Sequence, residues 1–390
     1  MGLLQKIFGN WSNKRAITWD QLNSLGLLQH PTKSGQIVNE KTALGLSALY
    51  CGLKVISQDV GSLEPVLYRE IGDQRDRAVG HIIHDLLCDS PNPEMTRPVF
   101  FETMMLYALL GNSVAEIERN NLGEPIALWP IHPELITFKR DDNNQLLYCI
   151  QGSDTPLTTY DVIHIPGFSP DGSVGFKLLQ VARESFGFGL ATMKYGSSFF
   201  SNCARPSGIL STTEGLDEVA VQNLTRSMHQ LYGSAENVGK FMVLEEGLTY
   251  TQTQLTNEQS QYKDILNWFV YEVARFLNCP PNKLMSLEKA SWGNLETLNQ
   301  DYLTTTLRPW LVKFEKELER KLLSESDKKT HYVEFDTTTL LRADIATRYN
   351  AYAVALNNKF MTVDEVRARE NLPPLPPDTT TEVSPQEPNA

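Results

Sequence analysis

The sequence predicts an α+β fold assembled from several modules, and three observations carry that reading. Two hairpin patterns, each with apolar alternation around a polar turn, fall between residues 114 and 150. Two long segments, 257–279 and 295–323, repeat apolar residues at helical spacing. A short stretch, 204–256, mixes strand and helix patterns and stands between helices. The chain has 390 residues, 41% of them hydrophobic, which suits two or three domains with packed cores.

Taken in order, residues 1–40 show little periodicity and are expected to form a mobile arm, with one amphipathic turn at Leu3, Leu4, Ile7 and Phe8. A helix is predicted over 43–60, where Leu46, Leu49, Leu53 and Ile56 share a face and Gly61 stops it. Residues 65–69 read as a short strand. A helix capped near Thr96 runs through Phe100, Met104 and Tyr107 to Gly111. Residues 114–119 turn at Asn120-Asn121-Leu122-Gly123 and return at 126–129; residues 135–140 and 145–150 pair across Asp141-Asp142-Asn143-Asn144. Residues 162–165 close an antiparallel set. From 175 to 202 the pattern is helical and rich in small residues. A helical glycine costs about 1 kcal/mol against alanine, so Gly187 and Gly189 call for a bend or for close packing, inside the chain or against another copy.

In 204–256, strands are expected at 208–211, 241–244 and 249–253, with a helix at about 216–232. The next helix opens with the capping box Thr256-Asn257-Glu258-Gln259 and stops at Pro280 and Pro281, since proline has no N–H to donate. A second long helix starts near Leu295. Pro309 lies inside it, so a kink is expected there. A strand at 332–336, a helix at 340–357 and a short helix opened by Thr362-Val363-Asp364-Glu365 follow. The proline-rich tail, 376–390, is expected to be disordered.

Lys and Arg number 35 against 47 Asp and Glu, a net charge of −12, and this sign opposes gripping nucleic acid through an overall field. Cys51, Cys88, Cys149, Cys203 and Cys279 are odd in number, widely spaced and free of CxxC, which reads as reduced thiols. No apolar run approaches the ~18 residues of a membrane span. The stretch from Gly233 to Lys240 resembles a phosphate-binding loop and supports the alternative of a nucleotide-dependent enzyme. It departs from that pattern in having one residue too many between its glycines and Phe241 in place of Ser or Thr. His81 and His84 beside Asp85 read as a solvated helix start, and Asp141-Asp142-Asn143-Asn144 as a hairpin turn lacking the closing Glu of a calcium loop. No catalytic residue, cofactor or metal site is predicted.

Five segments resemble one family when taken in order. They are Leu44-Gly45-Leu46-Ser47-Ala48-Leu49-Tyr50, Ala204-Arg205-Pro206-Ser207-Gly208-Ile209-Leu210, Asn278-Cys279-Pro280-Pro281-Asn282-Lys283-Leu284-Met285, Leu307-Arg308-Pro309-Trp310-Leu311 with Glu315-Lys316-Glu317-Leu318, and Met361-Thr362-Val363-Asp364-Glu365-Val366-Arg367 with Asn371-Leu372-Pro373-Pro374-Leu375. The family is that of tailed-bacteriophage portal proteins, of the shorter siphophage and prophage type. The resemblance implies a ring-forming portal fold with a mixed α/β wing (41–174), stem helices (175–203 and 257–279), a small α/β clip (204–256), a tunnel loop (280–294), a kinked helix with a wing strand (295–337) and a helical crown (338–375). It implies a channel for double-stranded DNA at one capsid vertex of the virion, with about twelve copies of the chain as its own partners. Terminase large subunit, head–tail adaptor and major capsid protein or scaffold would be the others, with assembly in the host cytoplasm, no membrane and no enzymatic activity. Lys283, Glu288, Lys289 and Trp292 would be the DNA-facing residues of the tunnel loop. Glu214, Asp217, Glu218, Glu245 and Glu246 would dock partners at the clip.

Overall fold

The computed structural model describes residues 31–72, 74–202, 208–211, 215, 217–223, 226, 249–252, 256–286, 295–337, 340, 345–370, 373 and 375. The tail at 376–390 and the arm up to residue 30 lie outside them.

The chain enters through α1 (Glu40–Leu44) and α2 (Ser47–Ser62). Asn39 and Thr42 cap α1 reciprocally, each side chain accepting from the other's backbone N–H at 2.8–2.9 Å, so the single helix predicted at 43–60 is two. Gly61 does not stop α2. It lies inside the helix, where a Cβ would meet the Pro98 carbonyl of α4 (Arg97–Leu110) at 2.7 Å, so the glycine permits two helix backbones to touch. Between them come β1 (Glu64–Ile71), β2 (Gln74–Arg77) and α3 (Ile82–Cys88). His81 caps α3 by accepting from the Ile83 N–H at 3.2 Å.

The predicted hairpins are present as β3 (Asn112–Arg119) with β4 (Pro125–Ile131), and β5 (Ile136–Arg140) with β6 (Leu146–Ile150). Asp141 makes the second turn by accepting from the Asn143 and Gln145 N–H groups at 3.0 and 2.7 Å. β7 (Val162–Pro166) pairs with β3, giving an antiparallel sheet of order β4-β3-β7.

After α5 (Leu178–Val181) and α6 (Arg183–Asn202), the strands β8 (Gly208–Ser211) and β9 (Thr249–Gln252) pair antiparallel. The strand expected at 241–244 lies outside the described residues. Next is α7 (Thr256–Leu277). The small residues of α6 face α7 and its own chain. A Cβ at Gly189 would meet the Phe269 ring at 2.5 Å, and one at Gly187 would meet Thr32 at 2.6 Å.

The long helix is α8 (Leu295–Asp301), a π turn (Tyr302–Leu307) and α9 (Arg308–Leu322), followed by β10 (His331–Asp336). β10 pairs with β1 from Glu64↔Asp336 to Arg69↔His331, forming a second antiparallel sheet, β10-β1-β2. Helices α10 (Ile345–Asn357) and α11 (Val363–Arg369) follow. The predicted capping box is formed there, with Thr362 N–H to Glu365 at 2.7 Å and Glu365 N–H to Thr362 Oγ1 at 3.3 Å.

α9 ties the two sheets together. Phe314 on its inner face meets Phe101 of α4 and Phe335 of β10 edge-on, with ring centroids 6.1 and 6.4 Å away. Its acidic residues seal strand edges. Glu315 and Glu319 accept from the Phe335 and Val333 N–H groups of β10 at 3.0 and 3.2 Å. Glu317, turned the other way, accepts from His164 N–H of β7 at 3.4 Å. A sheet edge covered in this way cannot pair with another strand. Burial holds the Glu315 and Glu317 carboxyls above their ordinary range, partly offset at Glu315 by the Phe335 N–H and at Glu317 by the Lys321 and Arg320 cations and then the His164 N–H.

The His164 side chain crosses between the β5–β6 hairpin and the β4-β3-β7 sheet. The Asn112 amide donates to Gly175 O at 3.0 Å, and its oxygen accepts from Gly175 N–H at 2.7 Å. That oxygen can therefore only accept from His164 Nε2, at 3.2 Å, and Nδ1 is left to accept the Tyr148 hydroxyl at 3.0 Å. Phe138 stacks on the imidazole. Burial pushes the His164 pKa down to about 4, with the Lys321 ammonium adding to the effect.

Candidate functional site

The sequence singled out the proline-led segment after α7, and the structure shows how its root is built. α7 ends with Asn278 in the left-handed region, φ +48°. Asn278 N–H bonds to Arg275 O at 3.2 Å and Cys279 N–H to Ala274 O at 2.9 Å, a Schellman ending in which asparagine takes glycine's usual place. Pro280 and Pro281 then bar a further α turn and start a short 3-10 turn, Pro281–Leu284. Met285, again left-handed at φ +61°, turns the chain away and is 77% exposed.

Lys283 is the one tunnel-loop candidate among the described residues, and its charge is engaged inside the chain. Its ammonium lies 4.5 Å from the centre of the Tyr302 ring, a cation–π contact. Its backbone carbonyl accepts from Cys51 Sγ at 3.7 Å. Asp59 of α2 completes a half-buried polar group beneath the turn. Burial raises the Asp59 carboxyl, while the facing Tyr302 hydroxyl and the Lys283 ammonium work against the rise. Burial, then Asp59, pushes the Tyr302 phenol far above its usual range. Asp59 Oδ2, Tyr302 OH and Asn282 Oδ1 are buried, and none closes a hydrogen bond of good geometry among the described residues. Burial also lifts the Cys279 thiol to about 12, so it stays protonated and un-nucleophilic at neutral pH. Cys51, Cys88, Cys149 and Cys279 are free thiols.

The kink predicted at Pro309 takes the form of the π turn before it. Pro309 offers no N–H to Thr305 O, and Arg308 N–H reaches back to Leu303 O, five residues away. The freed Thr305 carbonyl accepts instead from Asn278 Nδ2 at 3.0 Å, and Thr306 Oγ1 donates to Asn278 O at 2.6 Å. Asp59, Asn278 and Tyr302 were not among the predicted site residues. Pro309 signals an orphaned carbonyl, but nothing in the sequence names its donor.

Beside this root, α6 and α7 present an apolar groove. Phe188 and Trp268 meet edge-on at 6.0 Å, and with Ile265 they are 38–45% exposed. Asp264 lies on the groove's rim. In the stretch between α6 and α7, Asp217 and Glu218 are exposed. Glu214, Glu245, Glu246, Glu288, Lys289 and Trp292 lie outside the described residues, as does the stretch from Gly233 to Lys240. Among the described residues no group of three or more His, Cys, Asp or Glu side chains is placed to hold a metal ion. No described helix is long and apolar enough to cross a membrane.

Comparison with known proteins brings these features under one description. A family model described as phage portal protein matches residues 47–371. The probable portal protein of Streptomyces phage phiC31 is 27% identical over 399 residues, covering 96% of this chain and 86% of its own. The portal protein of Enterobacteria phage HK97 is 27% identical over 370 residues, covering 93% and 87%. Among solved structures, the neck of an empty gene transfer agent particle, computed with C6 symmetry, aligns with a TM-score of 0.64 at 19% identity, over 91% of this chain and 99% of that one. A native neck computed with C12 symmetry gives 0.62 at 20% identity, over 86% and 92%.

Proposed function

Since the chain belongs to the phage portal protein family, a structural and non-enzymatic family of the head–tail connector, we propose that about twelve copies close into a ring at one capsid vertex and form the conduit through which double-stranded DNA is packaged and ejected. The observation that carries this reading is the α6–α7 pair. It is packed tightly within the chain through Gly187 and Gly189, yet it leaves Phe188, Ile265 and Trp268 exposed on the outer side. An apolar patch that the described residues leave open suits burial against the next copy. The likeness to necks computed with six- and twelve-fold symmetry supports the same reading.

The net charge of −12 per copy fits a conduit, because DNA affinity is dominated by neutralised phosphates and an acidic chain does not hold its cargo through an overall field. Around the channel, the module at 204–256 is assigned to docking of the terminase large subunit and later of the head–tail adaptor, with Glu214, Asp217, Glu218, Glu245 and Glu246 as its acidic contacts. Lys283, Glu288, Lys289 and Trp292 are the residues assigned to the bore, Lys283 standing at the root of that loop beside Tyr302. The region at 338–375 faces the head interior, and the body at 41–174 meets the major capsid protein or scaffold. Assembly takes place in the host cytoplasm.

Negative-stain images and native mass spectra of the purified chain test this reading. Closed rings of about twelve copies are expected, and Trp268→Glu is expected to shift the population to monomers. Monomers alone, with capsid protein and scaffold co-expressed, would overturn it.

A further inference from the structure

We propose that the Tyr302–Leu307 turn is a one-residue register switch in the long helix, and that Asn278 is the latch that holds it in the π register. The proposal concerns a single chain and does not depend on the ring.

The π turn fits one extra residue into a helical turn. Relaxing it to α geometry would rotate α8 by about 100° about its axis and move it by about 1.5 Å relative to α9. Tyr302 would then leave its place under Lys283. Two features oppose relaxation. Pro309 denies the Thr305 carbonyl its α-helical donor, and Asn278 supplies a replacement from outside the helix. Thr306 Oγ1, on a residue only 2% exposed, returns a bond to the Asn278 carbonyl. One residue therefore ends α7 and clasps the irregular turn through both its side chain and its backbone. Tyr302, Leu303 and Leu307 are buried in the core, but apolar packing does not by itself choose between the two registers, and the Tyr302 hydroxyl and the facing Asp59 oxygen are buried without a good hydrogen bond among the described residues. α9, by contrast, is fixed by Phe314 and by three carboxylates on strand edges. A slip would accordingly be confined to α8 and the turn.

Asn278→Gly is the discriminating variant. Glycine keeps the positive φ and the carbonyl that receives Thr306, and removes only the amide donor. Hydrogen exchange on the full-length protein is expected to speed up about tenfold or more at the amides of 302–308, with those of 311–320 unchanged. Pro309→Ala restores an N–H for Thr305 O. In the double variant Asn278→Gly/Pro309→Ala the turn is expected to regain slow exchange, now with Arg308 N–H bonded to Thr304 O in a determined structure. If Asn278→Gly does not fold, Thr306→Val removes the other half of the clasp, with Thr306→Ser as the control that retains it. Exchange at 302–308 within twofold of the parent in Asn278→Gly or Thr306→Val would overturn the proposal. So would a Pro309→Ala/Asn278→Gly structure that retains the Arg308 to Leu303 bond, because the π register would then be set by packing alone.

Discussion

The long helix is held in opposite ways at its two ends. From Arg308 to Leu322 its inner face lies against an aromatic cluster, and Glu315, Glu317 and Glu319 reach from it to two different sheets. From Tyr302 to Leu307 it is irregular, rests on a cation–π contact and an asparagine clasp, and buries polar atoms without good partners. Redundant polar contacts fix one end against the body of the protein, while at the other the polar contacts from outside the helix come mainly from Asn278. In a chain proposed to line a conduit, that division separates a rigid strut from a joint.

The sharpest way to break the contrast is at the strut. Phe314 is 1% exposed between Phe101 and Phe335, and Phe314→Ala should cost about 3–5 kcal/mol of stability, read from urea unfolding at pH 7. A loss near that of a surface substitution would mean that the aromatic cluster does not carry this end of the helix.

The same region should answer to acid. The His164 imidazole has a pKa of about 4 in the folded chain against 6.5 for the free side chain. The unfolded chain therefore binds the extra proton between these values, so stability is complete above about pH 6.5 and falls as the pH drops towards 4, by about 3 kcal/mol in all. Carboxylates titrate in the lower part of that range, so the measurement is the difference in acid slope between the parent and His164→Gln. Equal slopes would place His164 in contact with solvent and undo the Tyr148–His164–Asn112 network.

Glu315→Ala should have a smaller effect, about 1–3 kcal/mol, because the Phe335 N–H would lose its acceptor at a covered edge. Glu315→Gln keeps an acceptor oxygen and removes the cost of burying a charge, so it should lie close to the parent. If both variants fall equally, the carboxylate's charge and not its hydrogen bond is what matters.

These elements were legible in the sequence to different degrees. The hairpin at Asp141 could be read because its turn is closed by local side-chain bonds. So could the stop at Pro280 and the capping box at Thr362. The pairing of β1 with β10 could not, since Glu64 and Asp336 stand at opposite ends of the chain and nothing local records the match. Pro309 announced an irregularity, but its form depends on Asn278, 27 residues before the carbonyl it serves. At the candidate site, the resemblance gave Lys283 as a DNA-facing residue of the tunnel loop. The residues that engage it, Asp59 and Tyr302, come from α2 and the long helix, and only the tertiary fold brings them beneath the turn.

The joint should respond least where its polar atoms are least satisfied. Tyr302→Phe keeps the ring under the Lys283 ammonium and removes a buried hydroxyl that closes no good hydrogen bond among the described residues. Removing such a group forfeits little, so stability at pH 7 should change by less than about 1 kcal/mol. A second effect has a definite sign. The hydroxyl faces the Asp59 carboxyl and, although poorly aligned as a donor, works against the burial that raises it, so without it the Asp59 carboxyl should rise further. A carboxyl raised on folding binds its proton more tightly in the folded chain, and stability then declines as pH climbs from the ordinary carboxylate value through the raised one. The variant should therefore lose slightly more than the parent between pH 4 and pH 7, seen as a wider gap between their urea midpoints at the higher pH. A loss above about 2 kcal/mol at pH 7 would show that the hydroxyl is firmly bonded. The turn would then be fixed as redundantly as the strut, and the difference between the two ends of the helix would disappear.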